Sequence, residues 1–252
     1  MKQLSLDNPF YEFSKISGKI NLNRYKNKIT TFYVAEGSIE IELQSEKINL
    51  KSGEGLLVSW KCIIKSIFVE PESLSFHVIS NKKKENLTEI TDLGDTVKEE
   101  KVNLYKRLAN HKKVLKPWGF ELWIVCLKDY HVLKKIYMKK GFKCSLQFHE
   151  KKYETNFLLS GKAKILKNFH VDKNSTDLEA KEIINDVDLI KDYSKDVDAP
   201  YYFTNIPGEV HRVFSLEDYT AYEVSTPELD DVIRIQDDSG RKSGKIISEH
   251  KK

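Results

Sequence analysis

Short runs of Val, Ile, Phe and Tyr, cut by Gly, Pro, Asn or Asp, recur along most of the chain, and nothing else in it constrains the fold as much. They read TFYVAEG, SIEIEL, GLLVSW, IIKSIFV and LSFHVI, then ELWIVCL, YHVLKKIYM, TNFLLSG, KAKILKNF, TAYEV and DVIRI. β-Branched and aromatic residues favour a pleated surface, and turn residues this close together leave little room for long helices. The expected class is all-β, a sandwich or barrel.

Two regions break the pattern. Residues 81–113, NKKKENLTEITDLGDTVKEEKVNLYKRLANHKK, are densely charged and poor in aromatics, with helix formers in the second half, and read as a linker with a helical piece. The expected organisation is therefore a β unit over 1–80, this short helical linker, and a second β unit over 114–252. A polar, acid-rich stretch, KNFHVDKNSTDLEAKEIINDVDLIKDYSKDVDAP, interrupts the second unit as a loop or hairpin excursion. The two units also repeat: TFYVAEGSIEIEL around Gly37 aligns with TNFLLSGKAKIL around Gly161 at an offset of 124 residues, each a strand, a glycine turn and a strand.

Composition excludes several classes. No apolar run approaches the ~18 residues of a membrane-spanning helix, and MKQLSLDNPFYEF lacks the basic head and apolar core of a secretory signal. The cytoplasm is the expected compartment. The 42 basic residues are nearly balanced by 38 acidic ones and sit among them, with no basic stripe carrying aromatics, so nucleic acid is not an expected partner. Cys62, Cys126 and Cys144 are widely spaced, form no CxxC pair, and read as reduced structural residues.

Chemistry concentrates in GFKCSLQFHEKKYETNFLLSG, Gly141 to Gly161. On a strand, residues two apart share a face, so Gln147 and His149 project together and build half a metal site. Glu154 follows the EKKY turn and begins the next antiparallel strand, which can return its carboxylate to the same face. NIPGEVHRV offers a fourth ligand in His211, where Pro207 and Gly208 turn the chain into a strand. The repeat offset places Asn23, Tyr25 and Thr30 opposite Gln147, His149 and Glu154. The first unit thus carries the scaffold without the site, and is expected to bind no metal and to act as a packing or homodimerisation unit.

The pattern G-x5-Q-x-H-x4-E-x6-G, followed by PGEVH at 207–211, resembles the two motifs of the cupin superfamily, with P-G-x-x-H in place of the usual P-x-G-x-x-H. The blocks KPWGFELW (116–123), SLQFHEKKYE (145–154), LLSGKA (158–163), IPGEVHR (206–212) and DDVIRIQDDSGR (230–241) resemble, in the same order, those of type II mannose-6-phosphate isomerase domains. That likeness covers 114 to about 245, while the first half is only generically cupin-like. It implies two cupin-type jelly-roll barrels, a bicupin. It also implies one divalent metal ion (Zn, Mn, Co, Ni or Fe) on Gln147, His149, Glu154 and His211, a borderline N/O donor set. Lys152 and Arg234 match the family's basic positions beside the site, where they would hold an anionic sugar or its developing oxyanion, with Lys152, Glu154 and Arg234 as the catalytic candidates.

The implied activity is aldose–ketose isomerisation of a sugar or sugar phosphate through an enediolate. Proton abstraction is open among Glu154, Lys152 and metal-bound water. Two rivals stand beside it: a non-catalytic carbohydrate-binding or regulatory cupin, and an Fe(II) dioxygenase, which would more often present His where Gln147 stands. His77, His111, His131, His170 and His250 have no ligand-like context and read as surface or packing residues. Arg212, next to His211, should face outward. Arg241 follows Gly240 in a terminal turn, and Trp118 and Trp123 should pack the barrel, with Trp118 also a candidate for lining a sugar site.

Overall fold

The computed structural model describes residues 5–17, 20–81, 105–170, 192–241 and 244–245. The chain divides into two compact units, Met1–Lys112 with Ile124–Leu133, and Lys113–Trp123 with Lys134–Lys252. Most of the expected linker and residues 171–191 of the acid-rich excursion lie outside the described residues. No helix among the described residues is long and apolar enough to cross a membrane.

The first unit contains β1 (Ser5–Asp7), β2 (Tyr11–Lys15), β3 (Thr30–Glu36), β4 (Ser38–Leu43), β5 (Lys47–Lys51), β6 (Gly55–Val58), β7 (Ile64–Val69), β8 (Leu74–Ser80) and β9 (Tyr105–Leu108). They form a six-stranded sheet in the order β1-β2-β8-β3-β6-β9 and a three-stranded one in the order β5-β4-β7. The unit reaches past residue 80 because β9 pairs antiparallel with β6. Alternation explains the second sheet: Ile39, Ile41 and Leu43 on β4 are buried between Glu40 and Glu42, which sit at the half-exposed face. Ile48 and Leu50 on β5 join them, with Phe32 and Val34 from β3, in one apolar core. Each such side chain contributes roughly 1.5–3 kcal/mol on full burial.

β10 (Lys112–Lys116), β11 (Gly119–Cys126) and β12 (Val132–Met138) each have residues in both units, and the second unit contains in addition β13 (Leu146–Phe148), β14 (Glu154–Ser160), β15 (Lys162–His170), β16 (Ser194–Asp198), β17 (Tyr201–Asn205), β18 (Glu209–Ser215), β19 (Tyr219–Ser225), β20 (Ile233–Gln236) and β21 (Gly244–Lys245). Its two six-stranded sheets run β10-β11-β12-β19-β14-β17 and β16-β15-β18-β13-β20-β21. Trp118, Leu158, Ile165, Phe203 and Tyr219 belong to its core.

The repeat survives in three dimensions. β3 and β14 occupy residues 30–36 and 154–160, the offset of 124, and each hands the chain to the next sheet through a glycine. Gly37 has φ +78° and Gly161 φ +92°. A Cβ on Gly161 would lie 2.1 Å from the Asp218 carbonyl oxygen, and one on Gly37 2.2 Å from Ser73 Oγ, so both corners require glycine for space as well as for backbone conformation.

Candidate metal centre

The two sequence motifs are joined directly. Gly208, at φ +83°, turns its N–H onto the His149 carbonyl oxygen at 2.7 Å, so the PGEVH turn seats β18 beside the end of β13. Gln147 then pairs in register with His211. His149, just beyond β13, and His211, on β18, are both buried, as is Glu154 at the start of β14.

His149 Nδ1 bonds the Asp231 carbonyl oxygen, and His211 Nδ1 bonds that of Glu209 at 3.0 Å. A carbonyl can only accept, so each ring carries its proton on Nδ1 and presents a lone pair at Nε2. Those Nε2 atoms have no hydrogen-bond partner among the described residues. Each faces a Glu154 oxygen at 3.4 Å, His149 toward Oε2 and His211 toward Oε1. One ligand atom from each of the three residues lies within 4.8 Å of the others. Three electron-pair donors facing one another in a buried space repel unless a cation stands among them, and Nδ1–H fixed on a carbonyl is the arrangement by which proteins orient metal-binding histidines. Burial, opposed by the Glu154 charge, lowers the His211 pKa to about 4, which keeps its imidazole neutral.

Gln147 lines the same cavity, and its Oε1 accepts from Ser145 Oγ at 2.7 Å. Glu154 is held on both oxygens: Oε1 accepts from Asn205 Nδ2 at 2.7 Å, and Oε2 from Lys152 Nζ at 2.5 Å. Lys152 belongs to the EKK turn yet is only 4% exposed. Burial alone would lower its pKa, but the charges of Glu154 and Glu223 outweigh that and raise it, fixing an ammonium. The same burial would raise Glu154, and the charge of Lys152 beside it holds it well below the carboxylate range. Arg234 is 2% exposed, lies on β20 opposite Gln147, and lines the cavity. Trp118, Cys144 and Arg241 also line the cavity. Arg241 is bonded to Asp237, and Arg212 points away to Asp238 and the Cys144 carbonyl.

Several residues that sequence reasoning did not single out complete the site. The Asp231 carboxylate accepts the N–H groups of Glu150, Lys151 and Lys152 at 3.1, 2.6 and 2.8 Å, so it shapes the turn that buries Lys152 while its carbonyl orients His149. Burial would raise the Asp231 pKa, and these three donors lower it. Glu223, Lys134 and Glu121 form a buried line of alternating charge beyond Lys152. The signal available in the sequence was a lone acid inside each of the apolar runs TAYEV and ELWIVCL.

No family model matches the chain, and no curated protein matches it in sequence. Solved structures do resemble it. A structure of Bacillus subtilis oxalate decarboxylase, determined to assign the fine structure of its Mn(II) centres, superposes with a TM-score of 0.57 at 10% identity, covering 92% of this chain and 77% of that one. A tryptophan-to-tyrosine variant of the same enzyme gives 0.53 at 11% identity, covering 88% and 74%. At such identities the likeness speaks to architecture, and together with the sheets and the repeat it shows that the chain has the two-barrel cupin fold.

Proposed function

We propose that the second barrel binds one divalent metal ion through His149, Glu154 and His211 with Gln147 beside them. We propose further that it catalyses aldose–ketose isomerisation of a sugar or sugar phosphate in the cytoplasm. The observation that carries the metal reading is the pair of buried imidazole lone pairs converging on one carboxylate. Nitrogen and carboxylate donors of this kind suit Zn, Mn, Co, Ni or Fe(II). The Bacillus subtilis oxalate decarboxylase, with its Mn(II) centres, supports the metal reading.

Isomerisation moves a proton between C2 and C1 and places negative charge on the oxygens of an enediolate. A bound divalent ion supplies Lewis acidity toward those oxygens. The chain's own contribution is two fixed cations in the cavity, Lys152 and Arg234, one pinned between carboxylates and one buried in a strand. Charge donors held in place before the reaction stabilise a developing oxyanion without reorganisation. Asn156, Asn205 and Trp118 line the same cavity and offer amide and aromatic contacts to a polyol.

The test is solvent deuterium incorporation at C2 of mannose 6-phosphate and related hexose and pentose phosphates, with each metal supplied singly and oxalate as the comparison substrate. Metal-dependent exchange into a sugar phosphate supports the reading. Oxalate turnover without sugar exchange would replace it, and saturable sugar binding without exchange would make the barrel a carbohydrate-binding module.

A further inference from the structure

One carboxylate oxygen stands between two partners. Glu154 Oε2 lies 3.4 Å from His149 Nε2 and 2.5 Å from Lys152 Nζ. An ammonium and a divalent cation repel, so both cannot bond this oxygen closely, and a lysine with no other anchor would compete with the metal for its ligand. Lys152 has another anchor. Glu223 Oε1 on β19 accepts from Lys152 Nζ at 2.8 Å. Sheet register puts it there, since Glu223 pairs with Asn156, two residues after Glu154 on β14.

Glu223 is itself held from its other side. Lys134 Nζ lies 3.6 Å from Glu223 Oε1 and 3.5 Å from Glu121 Oε2, and sits 5.2 Å from the centre of the Trp123 ring. Glu121 accepts from Trp123 Nε1 at 2.9 Å and lies 3.5 Å from Lys116 Nζ. Glu121, Lys134, Lys152 and Glu223 are all buried, so this is an internal relay of fixed charges and not a solvated surface patch.

We infer that Glu223 is a positioning residue that retains Lys152 beside the cluster and so leaves Glu154 to the metal, an inference that rests on metal binding by the second barrel. A hydrogen bond between charged groups contributes enough that its loss should weaken metal binding about 10- to 100-fold. The experiment titrates the full chain with Mn(II) and Zn(II), each alone, by calorimetry. Glu223→Gln should lose at least about tenfold in affinity, and with Lys152→Met also present the same change should cost no more than about threefold, the residue of lost through-space charge. Glu223→Asp keeps the charge but withdraws the oxygen by one methylene, and should also lose about tenfold. Circular dichroism confirms that each variant is folded, and if Glu223→Gln is not, Glu223→Asp with and without Lys152→Met carries the test. Wild-type affinity in Glu223→Asp, or equal losses from Glu223→Gln in both backgrounds, would overturn the inference while leaving the metal site standing. A wild-type chain that binds neither ion would overturn both.

Discussion

The two barrels share a scaffold and differ in what fills one end of it. β3 and β14 start the same way, and residues near the glycine corner are apolar in both: Val34 stands where Leu158 does, and Ile41 where Ile165 does. At the other end Thr30 and Phe32 replace Glu154 and Asn156, and ladder pairing puts His77 opposite Phe32 as Glu223 stands opposite Asn156. Asn23 and Tyr25, aligned with Gln147 and His149, lie in a 3-10 turn, Leu22–Tyr25, instead of a strand. On β7, which pairs with β4 as β18 pairs with β15, Ile64 and Lys65 stand at the level of His211. The difference teaches that the corner glycines and strand alternation maintain the barrel, while a handful of inward positions at one end decide whether it holds charge.

The largest expected contrast comes from moving a ligand across. Thr30→Glu would bury a carboxylate between the ladder partners Val58 and Ile79, and should cost on the order of 3–5 kcal/mol, read as a lowered unfolding midpoint in denaturant. Unchanged stability would show that the first barrel contains polar support equivalent to the second. Next, Arg234→Lys should keep metal content and fold but lose ~10²–10³ in isomerisation rate, because Lys replaces a rigid two-pronged donor with a point charge. Full activity in that variant would assign Arg234 to packing.

Acid should expose the first barrel's histidines. His77 bonds Tyr25 Oη through Nδ1 at 3.0 Å, and His131 bonds Thr31 Oγ1 through Nε2 at 2.8 Å. Burial lowers both to a pKa of about 3, with Arg24 adding to the effect at His77. The unfolded chain takes up these protons near pH 6.5 and the folded one refuses them until about pH 3. Stability therefore falls as pH drops through that window, by about 2 kcal/mol per histidine at pH 5. His77→Gln should reduce the dependence, measured by thermal unfolding between pH 7 and pH 4. An unaltered slope would mean that His77 does not set it.

Much of this was legible in the sequence for specific reasons. Strand alternation and glycine corners are local, so the strand, glycine turn and strand around Gly37 and Gly161 could be read along with the class. The convergence of His149, Glu154 and His211 was legible because their spacing follows from turns that the sequence contains. The retention of Lys152 was not, because an EKK turn normally faces water and only Asp231, about 80 positions further along, folds this one inward. Glu223 and Glu121 were hidden among 38 acids, most of them in polar surroundings, and register rather than spacing brings them to Lys152 and Lys134.

The central claim is that one barrel holds a metal and the other does not. Elemental analysis of the purified full chain, beside the double variant His149→Ala with His211→Ala, tests it most directly. The account predicts about one divalent ion per wild-type chain and none in the variant, with the variant still folded. Stoichiometric metal persisting in the double variant would contradict it and place the ion elsewhere in the molecule.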